Sequence, residues 1–306
     1  MKKVLVTGAA GAVGMQTIKY LLSEGKYEIT ALDLKNKTSI VNLKRYRKRV
    51  NVILGDVTDR VLVEALVKDH DVIIHLAGVL PPLADMKKSL ADIIDFKGTE
   101  NIVRAISYYN PKCHLFYASS TSLYKDNLNA TVKSTIKLDE FDYYNKAKKD
   151  AEELIIKKSK FYTIYRLPLI LSNPVKEVFP FNGINDSFVD AITKEDAAYA
   201  FVKGIAFKDT LNKKIFNVTD GFNLTYKSLL NKVLEIYGFS WKYILNRMFL
   251  EKNFYSPVTK DNDELNKIIN YRNDTLSDYL NRLRSRCKNR KLARLLIKPF
   301  LRSSKK

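Results

Sequence analysis

Three side chains in this sequence have the types and the spacing needed for proton transfer beside a hydride transfer. Tyr144 and Lys148 stand four residues apart in the stretch YNKAK, and Ser120 lies 144 − 120 = 24 residues before the tyrosine. A phenol has a pKa of about 10 in water, and a neighbouring ammonium group favours its ionised form. We therefore expect Tyr144 to take a proton from a substrate hydroxyl, with help from Lys148 and Ser120.

The Tyr-x-x-x-Lys spacing alone does not identify the reactive tyrosine, because it also occurs at residues 108–112 and 199–203. The first of these pairs precedes the strand predicted to carry Ser120 and lies at a predicted helix end. The second lies on a predicted helix in the second half of the chain. Tyr144 follows the serine strand and begins an amphipathic helix, which places Lys148 one turn along on the same face. The choice of Tyr144 among the three is what the family resemblance described below implies.

The bulk composition indicates a globular α/β protein. With 306 residues and 46% hydrophobic residues, the chain can form one large unit or two closely joined domains. No run of 18 apolar residues predicts a membrane-spanning helix, and the N-terminal apolar run is too short for a signal peptide. Cys113 and Cys287 lie far apart, and the three histidines lack metal-ligand spacing, so we expect a reducing cytoplasmic location and no metal site.

The N-terminal segment has the order of a dinucleotide-binding unit. A buried strand at 3–6 leads into the loop TGAAGAVG and then into an apolar-periodic helix. Gly8 permits a tight turn, Gly11 lets backbone amides approach a pyrophosphate, and Gly14 lets the helix pack close to the strand. The helix N-terminus then adds partial positive charge for the phosphates.

Further predicted strands bring polar and small residues to one edge of the same sheet. The second strand ends at Asp33, 33 − 14 = 19 residues beyond the last glycine, where an acid binds ribose hydroxyls and favours NAD over NADP. A surface turn acid is the alternative interpretation. The fourth strand ends in Leu76-Ala77-Gly78, which leaves room for a ligand, and the fifth delivers Ser120. We expect His75 to be a packed strand residue.

Together these motifs resemble the extended short-chain dehydrogenase/reductases of the NAD-dependent epimerase/dehydratase family. The matching stretches are TGAAGAVG at 7–14, Asp33, GDVTD at 55–59, HLAG at 75–78, KGTENIV at 97–103, YASSTSLY at 117–124, YNKAKKDAEEL at 144–154 and KIFNVTDG at 214–221. The resemblance implies an α/β fold with a doubly wound parallel (Rossmann) sheet, NAD as cofactor and a homodimer. The cofactor contacts implied are Gly8, Gly11, Ala12, Val13, Gly14, Asp33, Asp56, Val57, Leu76, Ala77, Gly78, Tyr144 and Lys148.

The resemblance also implies a domain organisation. Residues 1–165 are expected to form the NAD-binding domain, and residues 166–283 a smaller substrate-binding part with segments that return to the sheet. Residues 284–306 form a basic tail.

Neutral residues after Ser120 favour one reaction within this family. In the family that this chain resembles, members that dehydrate nucleotide sugars have an acidic pair at the positions of Thr121 and Ser122. Members that decarboxylate have a glutamate at the position of Ser122. The resemblance therefore implies 4-epimerisation of a nucleotide- or lipid-linked sugar through a keto intermediate.

Departures from the family pattern keep two other hypotheses open. Only about twenty residues separate Arg166 from the next predicted strand at 188–190, where related epimerases have a longer insertion, and Asp95 replaces a usual asparagine. The pocket is expected to be smaller or more open, so net oxidation or reduction of a small carbonyl or alcohol is the first alternative. A cofactor-bound scaffold or nucleic-acid-binding protein is the second. Arg166 is expected either to reach a phosphate or to form a salt bridge.

The C-terminal end carries much of the net charge of +20. Residues 279–306 contain eleven lysines and arginines and no acid, beside an apolar stripe at Leu276, Tyr279, Leu280 and Leu283 that predicts a final helix. Three interpretations of this charge are open. The tail is a solvated or self-packed extension, it binds an anionic membrane surface, or it binds nucleic acid, which is the least favoured of the three. The membrane alternative implies a peripheral location on the inner face of the membrane and a lipid-linked substrate.

Overall fold

A seven-stranded, all-parallel sheet forms the centre of the protein in a computed structural model that describes residues 1–79, 91–124, 143–172, 188–222, 224–237 and 258–287. The strands of this sheet are β1 Lys2–Thr7, β2 Tyr27–Asp33, β3 Asn51–Leu54, β4 Val72–His75, β5 His114–Ser120, β6 Tyr162–Leu167 and β10 Lys214–Asn217. Their order in the sheet is β10-β6-β5-β4-β1-β2-β3, so the strand order reverses between β1 and β4.

Helices cover both faces of the sheet, as parallel strands require. Several helices have an N-cap residue whose side chain accepts a hydrogen bond from a backbone N–H of the first turn. Examples are Asp59, Thr193 and Thr275. The α-helices are α1 Ala12–Glu24, α2 Lys37–Leu43, α3 Arg60–Lys68, α4 Gly98–Tyr109, α5 Tyr143–Lys158, α6 Lys194–Ala206, α7 Tyr226–Ile236, α8 Glu264–Ile269 and α9 Leu276–Arg286. A π-helical segment, Ala91–Lys97, leads into α4.

Successive side chains of a strand point to opposite faces of the sheet, so the sheet has one hydrophobic core on each face. Val4 and Val6 of β1 point to the face covered by α1 and α6, whereas Leu5 points to the face covered by α3, α4 and α5. All three side chains are at most 1% exposed. The predicted fold class, a doubly wound parallel sheet, is confirmed.

A smaller unit lies beyond the sheet. Two short strand pairs, β7 Leu169–Leu171 with β9 Ala191–Thr193 and β8 Phe188–Val189 with β11 Leu224–Thr225, pack with α7 and α9 around a separate core. The strand β6 continues to Leu167, two residues beyond the predicted boundary at 165, and β10 returns to the sheet.

The helix predicted from the apolar stripe is α9, whose Tyr279, Leu280 and Leu283 are buried. The basic tail beyond residue 287 and the loop with Pro81 and Pro82 lie outside the described residues. Within the described ranges, none of the helices has the length and apolar character to cross a membrane.

Candidate active site

The glycine loop between β1 and α1 has a conformation that other residues cannot adopt without a clash. Gly8 has φ +65°, and a Cβ there would lie 2.7 Å from the backbone of both Leu76 and Ala77. A Cβ on Gly14 would overlap the backbone of Gly8 and Ala9. The loop therefore packs directly against the end of β4, which leaves the N-terminus of α1 at the edge of the sheet.

The start of α1 is suited to a phosphate group. Its first residue outside the helix, Gly11, supplies no side-chain cap, and the first turn contains no acid. Free N–H groups and the helix dipole favour an anion at such a terminus. The residues present thus fit the pyrophosphate of NAD.

Asp33 lies at the end of β2, beside this loop. Its carboxylate accepts hydrogen bonds from the Ala10 N–H (2.7 Å) and from the Ser39 hydroxyl (2.8 Å), so its position is fixed between the glycine loop and α2. A carboxylate held there fits ribose hydroxyls and disfavours a 2′-phosphate. At the next strand end, Asp56 accepts from the Thr58 N–H and Val57 is buried.

His75 is fully buried at the end of β4, as expected of a packed strand residue. Its ring nitrogens lie 2.7 Å from the Thr7 hydroxyl and 3.0 Å from the Thr99 hydroxyl. Burial, with a smaller contribution from the Lys148 charge, lowers the pKa of His75 to about 3. The imidazole is therefore neutral at physiological pH and joins strand ends by hydrogen bonds.

Ser120 and the start of α5 are joined by a short chain of hydrogen bonds. The hydroxyls of Ser120 and Ser122 lie 2.8 Å apart, and the Ser122 hydroxyl donates to the Asn145 side-chain oxygen at 2.6 Å. All three residues are buried. Because Asn145 directly follows Tyr144, this chain brings the end of β5 to the predicted catalytic tyrosine.

Lys148 is held at the same place by β5 and by the π-helical segment. Its ammonium donates to the Ala118 carbonyl at 3.1 Å and lies 3.1 Å from Asp95 Oδ1. It also lies 5.0 Å from the Tyr117 ring centroid and 5.8 Å from that of Tyr144. Burial alone would lower the pKa of Lys148, but Tyr117 and Asp95 outweigh it and hold the pKa above the ordinary 10.5. Lys148 is therefore a cation at neutral pH.

Asp95 was noted in the sequence as a departure from the family pattern, but its pairing was not predicted. Its side chain is 0% exposed, and Oδ2 accepts a hydrogen bond from the Val79 N–H at 3.1 Å. A Cβ on Gly78 would overlap Asp95 Oδ1. Gly78, predicted as a cofactor contact, thus also makes room for this carboxylate.

Among the three tyrosine–lysine pairs, only Tyr144 lies in this cluster. Tyr144 is 4% exposed and packs with Ala147, Val79 and Phe96. Tyr108 is 79% exposed near the end of α4, and Tyr199 packs against Tyr20 between α1 and α6. The catalytic role of Tyr144 stays a prediction.

Arg166 forms the salt bridge that was one of its two predicted roles. Its guanidinium makes a two-pronged contact with the Glu152 carboxylate (2.9 and 2.5 Å), and a third nitrogen donates to the Tyr124 hydroxyl. Glu152 was not predicted. Its signal in the sequence is the four-residue spacing from Tyr144 through Lys148 to Glu152, which places a charged side chain on the buried face of α5.

The strand order, the glycine loop and the serine–tyrosine–lysine cluster define a Rossmann-type enzyme of the extended short-chain dehydrogenase/reductase class. A family model, NAD dependent epimerase/dehydratase family, matches residues 4–198, and the chain belongs to this family. Membership confirms the resemblance found in the sequence, the fold class and NAD as the predicted cofactor.

Similarity to individual proteins is lower. UDP-N-acetyl-alpha-D-glucosaminuronate decarboxylase of Bacillus cytotoxicus is 30% identical over 40% of this chain and 38% of its own length. D-erythronate dehydrogenase of Haemophilus influenzae is 26% identical over 63% of this chain and 61% of its own length. The chain therefore matches about four to six tenths of the length of these relatives.

Solved structures match over nearly the whole chain. UDP-glucuronic acid 4-epimerase of Bacillus cereus, solved with UDP-glucuronic acid and NAD, has a TM-score of 0.79 at 19% identity and covers 92% of this chain and 98% of its own. A dTDP-glucose 4,6-dehydratase of Streptomyces venezuelae also has a TM-score of 0.79, at 17% identity over 96% and 99% of the two chains. At this identity the similarity establishes the fold.

Proposed function

We propose that the protein is an NAD-dependent 4-epimerase of a nucleotide- or lipid-linked sugar. The observation that carries the proposal is the neutral hydrogen-bond chain from Ser120 through Ser122 to Asn145. The family resemblance implies that dehydration needs an acidic pair at the positions of Thr121 and Ser122. Hydroxyl side chains occupy both positions here, and that of Ser122 donates to an amide oxygen. The site is equipped for proton transfer at one substrate oxygen.

Each of the three predicted catalytic residues has a role in this proposal. Tyr144 takes the proton of the sugar 4-hydroxyl and later returns it, and the Lys148 ammonium beside it stabilises the phenolate. In the structure the Ser120 hydroxyl donates to Ser122, because the Ser122 proton goes to Asn145. When substrate binds, the Ser120 hydroxyl turns and donates a hydrogen bond to the same sugar oxygen while it is a carbonyl. NAD, when bound, supplies the hydride acceptor and donor. The proton and the hydride both return to the sugar, so no net redox change results.

The proposed cofactor contacts follow the strand ends. Gly8 and Gly14 let the loop pack closely against β4 and against itself, Gly11 would let backbone amides approach the pyrophosphate, and Asp33 would bind the adenosine ribose.

A second candidate is NAD-dependent oxidation of a small hydroxy acid. The observation that favours it is the similarity to D-erythronate dehydrogenase, which extends over 63% of this chain, whereas the decarboxylase match covers 40%. The same three residues would serve, because removal of a proton and a hydride from an alcohol is half of the epimerase reaction.

The two candidates differ in redox stoichiometry. The purified protein would be incubated with NAD⁺ and either nucleotide- and lipid-linked sugars or small hydroxy acids, while nicotinamide absorbance and sugar configuration are followed. Epimerised sugar without accumulation of NADH supports the epimerase. One NADH for each product would replace it with the dehydrogenase, and absence of turnover with both substrate classes would contradict both.

A further inference from the structure

The residues that follow Asp33 in the chain form a strongly basic, exposed surface. Residues 34–49 contain seven basic residues and no acid. All seven are exposed, and none of them forms an ion pair with another residue that the structure describes. They are Lys35, Lys37, Lys44, Arg45, Arg47, Lys48 and Arg49.

Three aliphatic side chains are exposed within this basic surface. Leu34 is 43% exposed, Ile40 is 39% exposed and Val41 is 63% exposed. Val41 of α2 stands four residues after Lys37 and three before Lys44, the residue that directly follows the helix. Lys37, Val41 and Lys44 therefore share one face. Ser39 and Leu43 are buried on the opposite face of this helix.

The segment is firmly attached to the rest of the protein by its inner side. The Asn42 side chain donates to the Ala10 carbonyl at 3.0 Å, and the Tyr46 hydroxyl donates to the Met15 carbonyl at 3.3 Å. The outer side chains are therefore presented by a fixed backbone, which reduces the entropy lost when a partner binds.

We propose that the basic surface formed by residues 34–49 docks the protein on an anionic phospholipid membrane. Lysine and arginine side chains attract anionic headgroups, and exposed aliphatic side chains between them can enter the boundary with the acyl chains. The 2′-phosphate of NADP is an unsuitable ligand for this surface, because a single phosphate does not need seven cations and the Asp33 carboxylate repels it. Nucleic acid would satisfy the charges but would give no partner for Val41.

The test uses the full-length protein and vesicles of phosphatidylcholine with or without phosphatidylglycerol. We expect cosedimentation only with the anionic vesicles and a decrease at high salt. The variant Lys37→Glu/Lys44→Glu/Arg47→Glu should bind on the order of a hundredfold more weakly. A matched control, Lys157→Glu/Lys158→Glu/Lys160→Glu, changes three exposed lysines near the end of α5 by the same charge and should retain binding.

A second variant tests the apolar contribution without a change in charge. Val41→Ser should weaken vesicle binding several-fold, and Val41→Trp should show a blue shift in fluorescence with anionic vesicles. The proposal is overturned if the wild type stays in the supernatant, or if both triple variants lose binding equally. It is also overturned in favour of nucleic acid if Val41→Ser binds vesicles like the wild type and duplex DNA competes with the vesicles. A third variant, Arg290→Glu/Lys291→Glu/Arg294→Glu, changes the basic tail, and the proposal is overturned if this variant alone abolishes binding.

Discussion

The Lys148 ammonium nitrogen lies 3.1 Å from Asp95 Oδ1, and the two side chains are only 7% and 0% exposed. Burial raises the pKa of the Asp95 carboxyl, against the Lys148 charge and the Val79 N–H, which favour the ionised form. Lys148 thus has an acidic partner on the π-helical segment in addition to the neighbouring Tyr117 and Tyr144 rings. Because water screens this buried charge pair only weakly, its charges change the pKa of an ionisable group beside it. The pair therefore bears on the ionisation of Tyr144, the proposed base.

Asp95→Asn is expected to shift the acidic limb of the activity profile to lower pH. The carboxylate opposes formation of a phenolate at Tyr144, and its removal leaves the Lys148 charge uncompensated, so the tyrosine should ionise at lower pH. The measurement is kcat/KM against pH. Phenolate absorbance of the cofactor-free protein, with Tyr144→Phe as blank, gives the same information without turnover.

Asp92→Asn provides the control for this variant. Asp92 lies in the same π-helical segment and is partly exposed, so its removal should leave the pH profile unchanged. An Asp95→Asn protein with lower activity but the wild-type profile would show that Asp95 only supports the fold.

Tyr144→Phe should reduce turnover by a factor of ~10²–10⁴ while NAD still binds. The variant removes only the hydroxyl that exchanges a proton, and the ring can keep its contacts with Val79 and Phe96. Tyr108→Phe changes the exposed tyrosine of another pair with the same spacing and should keep full activity. Similar activity for Tyr144→Phe and the wild type would refute the assignment of the base.

The parallel sheet and the cofactor loop can be predicted from the sequence because their signals are local. Apolar runs of four to seven residues and the spacing of Gly8, Gly11 and Gly14 define strand, turn and helix within a short stretch of chain. The pairing of Asp95 with Lys148 joins residues 148 − 95 = 53 positions apart and depends on how the π-helical segment packs. No pattern along the chain contains that information, and the same holds for the Ser122–Asn145 hydrogen bond.

Gly8→Ala and Gly25→Ala should separate the two reasons for a glycine. Both residues have φ +65°, but a Cβ on Gly25 meets nothing within 4 Å, whereas one on Gly8 meets the backbone at 2.7 Å. Gly25→Ala should therefore cost about 1 kcal/mol of unfolding free energy, from the backbone conformation alone. Gly8→Ala should cost at least about 3 kcal/mol and weaken NAD binding. Equal costs in urea unfolding would contradict the close packing of the loop on β4.

Glu152→Gln should destabilise the fold because it leaves the buried Arg166 guanidinium without its anion. Both side chains of the pair are 3% exposed, and removal of one partner from a buried ion pair costs roughly 3–5 kcal/mol. Urea unfolding measures the loss. The control is Glu64→Gln, which breaks the exposed pair with Arg60 and should leave the free energy of unfolding unchanged within error. An equally small effect at Glu152 would place water, rather than protein, around Arg166.

The last prediction concerns a pair of acids between α6 and the segment after β10. Asp220 accepts a hydrogen bond from the Thr193 N–H at 2.7 Å, and Asp196 accepts from the N–H groups of Asn273 and Asp274. Burial, reinforced by the Asp196 charge, raises the pKa of Asp220 far above the ordinary 3.8. Asp220 is thus protonated in the folded protein at neutral pH but ionised in the unfolded chain.

The sign of the pH dependence follows from that difference. The folded state holds one more proton, so the contribution of Asp220 to stability is complete below pH 3.8 and is lost as the pH rises toward the folded-state pKa. The slope is up to about 1.4 kcal/mol per pH unit. Asp220→Asn keeps the bond from Thr193 and can donate to Asp196 without titrating. Its stability relative to the wild type should therefore increase with pH in urea unfolding, whereas Asp209→Asn, at a site where the side chain is 86% exposed, should show no such trend. A constant difference between Asp220→Asn and the wild type across neutral pH would mean that Asp220 is ionised in the folded protein.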